Sequence, residues 1–496
     1  MSLPGHPIPR RTLLRGLVAV GAGAPLCVAC DPPTVPEETD IMDLSFRTVE
    51  RFRPFEVVAP GFEQVEEPAP AALAAVRRSD QSPPAPFAAV ELTVVSLDES
   101  GISAGLHTAR GDQVVATYDP RARRVTIEVR SAGRTNIVTR RKVRLEAPFR
   151  FAFVVCENQV TALADTGDGW TALCTAREKV ARMVDLRAPA VLAEHTFGWG
   201  PCRPTGTVRV RDVRAGCFGM AGLRDLHLVQ HPDGRPYIRD GLTYLTATCA
   251  GLGFFQQAHW GVFTLDLASP DRLEQVGQLF FARDGLVLGD HAGQVIVDEE
   301  AGTYVVATSS WGDFDFDGVH ARHTTATDDV LHGVHVLSTE PLDLPTRAGS
   351  WDPGLTRIDG RWHVGFVESP SQDPFDFHPA LAVGPEGADH ATGLELVGAD
   401  QTVSQCEGPI LAQVDGQWWL LASDGLGKEY RVYDLSMSLR GTLDAPYGTN
   451  IPHPQLVPRP GGGWLLVTFD GTQFDERVLG YGSHGDVLVM ASRAAT

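Results

Sequence analysis

Short apolar runs with a period of two, broken by Gly, Asp and Pro, fill the chain from about residue 41 onward. Between residues 41 and 219 the clearest are AAVELTVVSLD, QVVATYDPRARRVTIEVRS, RKVRLEAPFRFAFVVCENQVTALAD and TVRVRDVRAG. Strands of this length joined by polar turns predict a β-sandwich of jelly-roll type. From residue 220 a second, longer period appears. The unit running from His231 to Thr246 sets an acid before a short strand, an Asp-Gly turn and an aromatic-rich strand, and it returns from Trp351 and from Cys406. Weaker copies start at Gln294 and His453. Five units spaced by roughly 50 to 60 residues, each holding several short strands, fit four-stranded sheets arranged radially. The prediction is all-β: a sandwich over 41–219 followed by a five-bladed β-propeller over 220–496.

In a propeller the first strand of each blade lines the central channel, so the residue entering that strand points toward the axis. Those positions are Asp233, Asp290 or His291, Asp352, Glu407 and His453. Asp before Gly or Pro is also ordinary turn chemistry. Three acids in register instead indicate one shared site. Asp225 rivals Asp233 for the first position; Asp233 is preferred because its interval to Asp240 equals that from Asp352 to Asp359. Two carboxyls flanking a bond suit glycoside hydrolysis, where one protonates the leaving oxygen and the other activates water or attacks. A third can raise the pKa of the group that must keep its proton. Trp260, Trp311, Trp351, Phe375 and Phe377 could offer apolar faces to sugar rings, with Trp260 and Trp351 the leading candidates and core packing the competing role. His291 and His453 complete the expected substrate-binding set.

The stretch HPDGRPYIRDGLTYLTAT resembles the opening blade of glycoside hydrolase family 43, WDPGLTRIDGRWHVGF its internal Asp-Pro motif, and EGPILAQVDGQWWLLASDG its Glu-Gly-Pro motif. The resemblance covers about residues 221–493. It implies a five-bladed propeller that hydrolyses glycosides with inversion, Asp233 being the general base, Glu407 the general acid and Asp352 the residue tuning the acid. Families 32 and 68 are related, but Trp-Asp-Pro stands here where they have Arg-Asp-Pro. The first region is similar to concanavalin-A-type sandwiches that accompany glycan-active enzymes.

Arg10-Arg11-Thr12-Leu13-Leu14-Arg15, followed by an apolar stretch too short to span a bilayer, reads as a twin-arginine export signal over residues 1–29. Leu26-Cys27-Val28-Ala29-Cys30 is similar to a lipobox, making Cys30 the expected lipidation site, and the Pro- and acid-rich residues 30–40 read as a linker. The expected location is outside the bacterial cytoplasm, extracellular or tethered to the surface through that lipid. The formal net charge is −20, and residues 1–29 carry three Arg and no acid. Such a chain repels nucleic acid and anionic lipid and suits a neutral glycan partner. Six cysteines follow Cys30, and Cys156 with Cys174 and Cys202 with Cys217 are local candidates for pairing. The histidines show no compact zinc spacing, so no metal ligands are assigned and no cofactor is required. Asp313-Phe-Asp315-Phe-Asp317-Gly318 opens like a calcium loop yet has Thr324 where Glu is expected, which favours a channel-mouth loop over structural calcium. The sequence therefore predicts an exported hydrolase of furanose- or pentose-containing polysaccharide of arabinan, arabinogalactan or galactofuranan type. The alternative is a non-catalytic glycan-binding lipoprotein on the same fold.

Overall fold

The computed structural model describes residues 40–67, 69–314, 318–471, 480 and 485–492. The export signal, Cys30 and the linker up to residue 39 lie outside the described residues, as do Asp315 and Asp317.

Two antiparallel sheets face each other in the first half of the chain. One runs, in spatial order, Trp170–Ala176, Gln159–Asp165, Phe149–Cys156, Phe87–Leu97, Val208–Met220 and Glu56–Glu67. The other runs Arg77–Arg78, His195–Gly200, Ile102–Thr108, Gln113–Asp119, Arg124–Ser131 and Arg134–Lys142. Alternation decides what each face does. Phe151, Phe153 and Val155 point between the sheets and meet Leu106, Val114 and Ile127. Ala152 and Val154 point the other way and pack, with Phe87 and Phe218, against Leu252, Phe280 and Val287 of the first propeller sheet. That strand is buried on both faces, which is why FRFAFVVC is apolar with a single break.

Among the described residues five sheets follow, antiparallel except that Gly333–Ser338 joins the first in parallel, with inner strands Leu223–Leu228, His291–Asp298, Gly349–Ile358, Cys406–Val414 and Gln455–Pro458. Each sheet shares an apolar layer with the next. Val262 and Phe281 of the first meet Val295 and Val306 of the second, whose Ile296 and Ala307 meet Val364 and Phe366 of the third. Leu381 then meets Leu411 and Leu420 of the fourth, and Ile410 and Leu421 meet Leu466 and Met490 of the fifth. Leu245 and Leu265 return to Val467 and Val489 of the fifth, so the ring closes as a propeller. Each fully buried side chain of this size contributes about 1.5 to 3 kcal/mol.

Residues 46–52 correct the expected domain boundary. Phe46–Phe52 pairs antiparallel with Asp486–Ser492 and forms the outer strand of the fifth sheet, so it belongs to the propeller. Ile41, Leu44 and Phe46 are buried in the layer between the fourth and fifth sheets. Both ends of the described chain thus build one blade, and the sandwich is inserted between that blade's outer strand and the first blade's inner strand.

The cysteine pairs are also corrected: all six described cysteines are free. Cys156 and Cys174 stand on strands separated by Gln159–Asp165. Two strand spacings are about 9.5 Å, beyond the reach of a disulfide. The Cys202 thiol instead donates to the Ser100 carbonyl, and Cys217 is buried within its strand.

Candidate active site

Four of the five inner strands carry the same irregularity. The register shifts between Arg224 and His227, between His291 and Gln294, between Trp351 and Gly354, and between Glu407 and Ile410. In each bulge one residue takes the left-handed conformation: Asp225 (φ 48°), Ala292 (57°), Asp352 (51°) and Gly408 (67°). A bulge inserts a residue and re-aims the side chains beside it. Here it turns Asp225, Asp352 and Glu407 toward a common point, where His453 arrives from the fifth blade. His453 Nε2 lies 3.4 Å from Asp352 Oδ2, 3.8 Å from Asp225 Oδ1 and 3.9 Å from Glu407 Oε1.

Secondary contacts fix this cluster. Asp352 Oδ2 accepts the Gly408 N–H at 3.0 Å, and the Asp352 N–H donates to Ser309 Oγ at 2.9 Å. Trp351 Nε1 donates to Glu407 Oε2 at 3.2 Å. Gly408 is required by space as well as by φ, since a Cβ there would stand 2.4 Å from the His453 ring. The Arg224 guanidinium lies over the Phe469 ring, with its Nε 4.0 Å from Asp225 Oδ1. Glu407 is the most accessible acid: its side chain is 17% exposed, against 8% for Asp352 and 6% for Asp225. It is the group best placed to meet a ligand.

Burial pushes the Asp352 carboxyl well above the usual range, with Glu407 and Asp225 adding repulsion and His453 opposing. Burial would lower His453, but Asp352, Glu407 and Asp225 outweigh it and push the imidazole up to about 9. Asp352 and His453 each hold a proton more tightly than usual. Both shifts have the same sign for stability. A raised His453 contributes fully below its unfolded value of about 6.5, and that contribution is lost as pH rises through about 9. Wild-type thermal midpoints should therefore fall by several degrees between pH 7 and 10, and in His453→Gln the fall should flatten. An equal slope in both, followed by circular dichroism, would remove His453 from this role.

The remaining expected residues divide. Trp351 is at the site and packs on Trp311 at 5.4 Å and Phe377 at 5.3 Å, within an aromatic group that includes Phe375. His291 occupies the same bulge position as Trp351 and Glu407, but its Nδ1 faces Thr248 Oγ1 at 3.3 Å and its Nε2 the Phe255 carbonyl at 3.2 Å. Burial lowers it to about 4, so it is neutral. Asp290 is fully buried in a bidentate pair with Arg283, which also binds Asp313. Among the described residues no group of three or more His, Cys, Asp or Glu is disposed to hold a metal ion.

Two expectations are overturned. Trp260 is fully buried in the layer between the first and second sheets and reaches no channel, because the second and third strands of a blade are covered on both faces. Asp233 is not in the cluster. It sits in an exposed turn, paired with Arg235 at 2.7 Å, and the adjacent Pro232 carbonyl accepts the Arg357 N–H. Arg357 is five residues beyond Asp352 on the same strand, roughly 15 Å toward the other end of the channel. Asp225 takes the place assigned to Asp233.

No protein-family model matches this sequence, and no curated protein is similar to it. Among solved structures, the chain is similar to a GH43_1 enzyme from Xanthomonas citri, at 17% identity and a TM-score of 0.39, covering 54% of this chain and 89% of that one. It is also similar to levansucrase from Bacillus subtilis, at 11% identity and a TM-score of 0.40, covering 55% and 88%. A third is a family 117 glycoside hydrolase from Zobellia galactanivorans, at 10% identity and a TM-score of 0.37, covering 55% and 84%. These similarities are distant.

Proposed function

We propose that this chain is an exported glycoside hydrolase acting on furanose- or pentose-containing polysaccharide of arabinan, arabinogalactan or galactofuranan type. One observation carries the reading: three carboxyls from three different inner strands converge on one buried imidazole. Glu407, the most accessible, protonates the leaving oxygen. Asp225 activates water on the other side. Asp352 accepts the Gly408 N–H and so orients the strand that carries Glu407. His453, within 4 Å of all three acids, positions the carboxyls. Hydrolysis of this kind needs only the carboxyls and water.

Asp225 and Glu407 each reach the same nitrogen within 4 Å, so their oxygens stand at most about 8 Å apart. That limit admits the lower part of the ~6.5 to 9.5 Å range of inverting pairs, the outcome proposed here, and the ~5 to 5.5 Å of retaining ones. The first anomer released, read by NMR, decides between them. The twin-arginine pattern and Cys30 support a location outside the cytoplasm, extracellular or on a lipid anchor. Labelled palmitate should enter the chain and be lost in Cys30→Ala.

The test of activity is sugar release from arabinan, arabinogalactan, galactofuranan, xylan and fructan by a protein starting at Asp40. Release should fall by about three orders of magnitude in Glu407→Gln with the circular dichroism unchanged. Binding without release, equal in the variant, would instead identify a surface glycan receptor.

A further inference from the structure

The net charge of −20 is unevenly spread: residues 121–144 carry nine Lys and Arg and a single acid, Glu128. Most of them lie on a hairpin at the edge of the second sandwich sheet, Arg124–Ser131 paired with Arg134–Lys142. Arg123, Arg130, Arg134, Arg140 and Lys142 are exposed. Glu128 Oε1 is taken by the Thr117 and Thr126 hydroxyls, at 3.2 and 2.8 Å. Arg121 pairs with Glu99 and Arg144 with Glu146, whereas those five exposed cations have no ion pair among the described residues.

Register gathers this charge on one face. Val125, Ile127 and Val129 point between the sheets, so Arg124 and Arg130 point outward; Lys142 stands directly opposite Arg124, and Arg140 follows two residues away on the same side. The first sheet lies against the propeller, so this outer face of the second turns away from it. Like charges directly across a strand pair are destabilising, and the arrangement costs stability unless an anion joins it. Charge on an edge strand guards against pairing with another chain. That role does not account for Arg124 and Arg130, whose strand is already paired on both sides. An arginine fork pairs bidentately with a carboxylate, and the stripe runs along strands about 30 Å long, which suits an extended polyanion. A membrane surface would call for apolar side chains beside the cations, and Ile137 is the single large apolar one exposed on this hairpin.

We infer that the outer face of the hairpin, with Arg124, Arg130, Arg140 and Lys142, docks the protein on a carboxylate-bearing polysaccharide. The three carboxyls of the catalytic cluster disfavour such a chain, so the stripe anchors the enzyme to an acidic polymer and does not feed the cleft. The choice of a glycan among polyanions rests on the hydrolase reading; the cationic face does not. Calorimetric titration with polygalacturonate compares the protein starting at Asp40 with Arg140→Glu/Lys142→Glu and with Arg272→Glu/Arg459→Glu, which makes the same change of charge at exposed positions of the propeller. Polygalacturonate should bind at low salt and be released at high salt. Its affinity should fall at least tenfold in the hairpin variant and stay unchanged in the propeller variant, with all thermal midpoints kept, since the hairpin change removes a like-charge pair. Arg130→Gln, on the neighbouring strand, should weaken binding by a factor of a few. No binding of polygalacturonate, or equal weakening in the two double variants, would overturn the docking face. Phosphatidylglycerol vesicles or duplex DNA bound as tightly as polygalacturonate would overturn the polysaccharide and make the stripe a lipid or nucleic-acid surface. Failure of the wild type to release sugar from any polymer would overturn hydrolysis alone, and the titration would still decide the docking face.

Discussion

Asp225→Asn should lower kcat/KM on the responsive polysaccharide by about three orders of magnitude, while Asp233→Asn leaves it unchanged. The contrast follows from position. Asp225 is buried in the bulge of the first inner strand, 3.8 Å from the imidazole that Asp352 and Glu407 also face. Asp233 is half exposed at the far end of the channel, bound to Arg235. An amide at 225 has nearly the volume of the acid and can keep its packing, but it cannot take a proton from water. Kinetics on both purified variants, with thermal unfolding as the control for folding, separates the two residues. Comparable loss in both, or full activity in Asp225→Asn, would refute the assignment.

Removing residues 40–53 should destabilise the protein by on the order of 5 kcal/mol or more. Phe46–Phe52 supplies the outer strand of the fifth blade, and its loss would leave Asp486–Ser492 as an unpaired edge. Six register pairs of that strand disappear, together with the burial of Ile41, Leu44 and Phe46. Asp486 and Asp470, nearly buried, would lose Arg51, and Asp486 would also lose Arg53. The arginines are partly exposed and add little as ion pairs; the larger cost is the two carboxylates left behind. A propeller expressed as 220–496 has the same defect. Chains starting at 40 and at 54, compared by thermal midpoint and protease resistance, test this. Equal values would mean that the clasp contributes nothing.

Much of this molecule is legible from its residues. Period-two alternation and the Gly, Asp and Pro turns are local properties, so the strands of both halves are found where the runs predict them. The recurrence of Asp352-Pro353-Gly354 and Gly408-Pro409-Ile410 likewise marks inner strands, because a bulge with one left-handed residue favours Asp or Gly followed by a fixed turn. Asp352, Glu407, Trp351 and His453 come together on that basis. The first blade hides the same signature. Asp225-Leu226-His227 occupies the equivalent bulge, but the chain then makes an excursion through His231 and Pro236 before its Asp240-Gly241 turn. The seven-residue interval from Asp233 to Asp240 copies the true repeat by coincidence. Aligning Arg224-Asp225, Trp351-Asp352 and Glu407-Gly408 on the left-handed residue of each bulge would have recovered it.

Short-range pattern and backbone preference suffice for the strands, the repeat and the residue types of the acid cluster. Which acid stands in the first blade, that Trp260 is core, that the cysteines remain apart and that residues 46–52 close the ring emerge from packing between distant segments. A strand's apolar pattern states that both faces are covered, as for Trp260 and Phe263 on opposite faces of one strand, but the identity of the covering neighbour comes from contacts between residues tens to hundreds of positions apart.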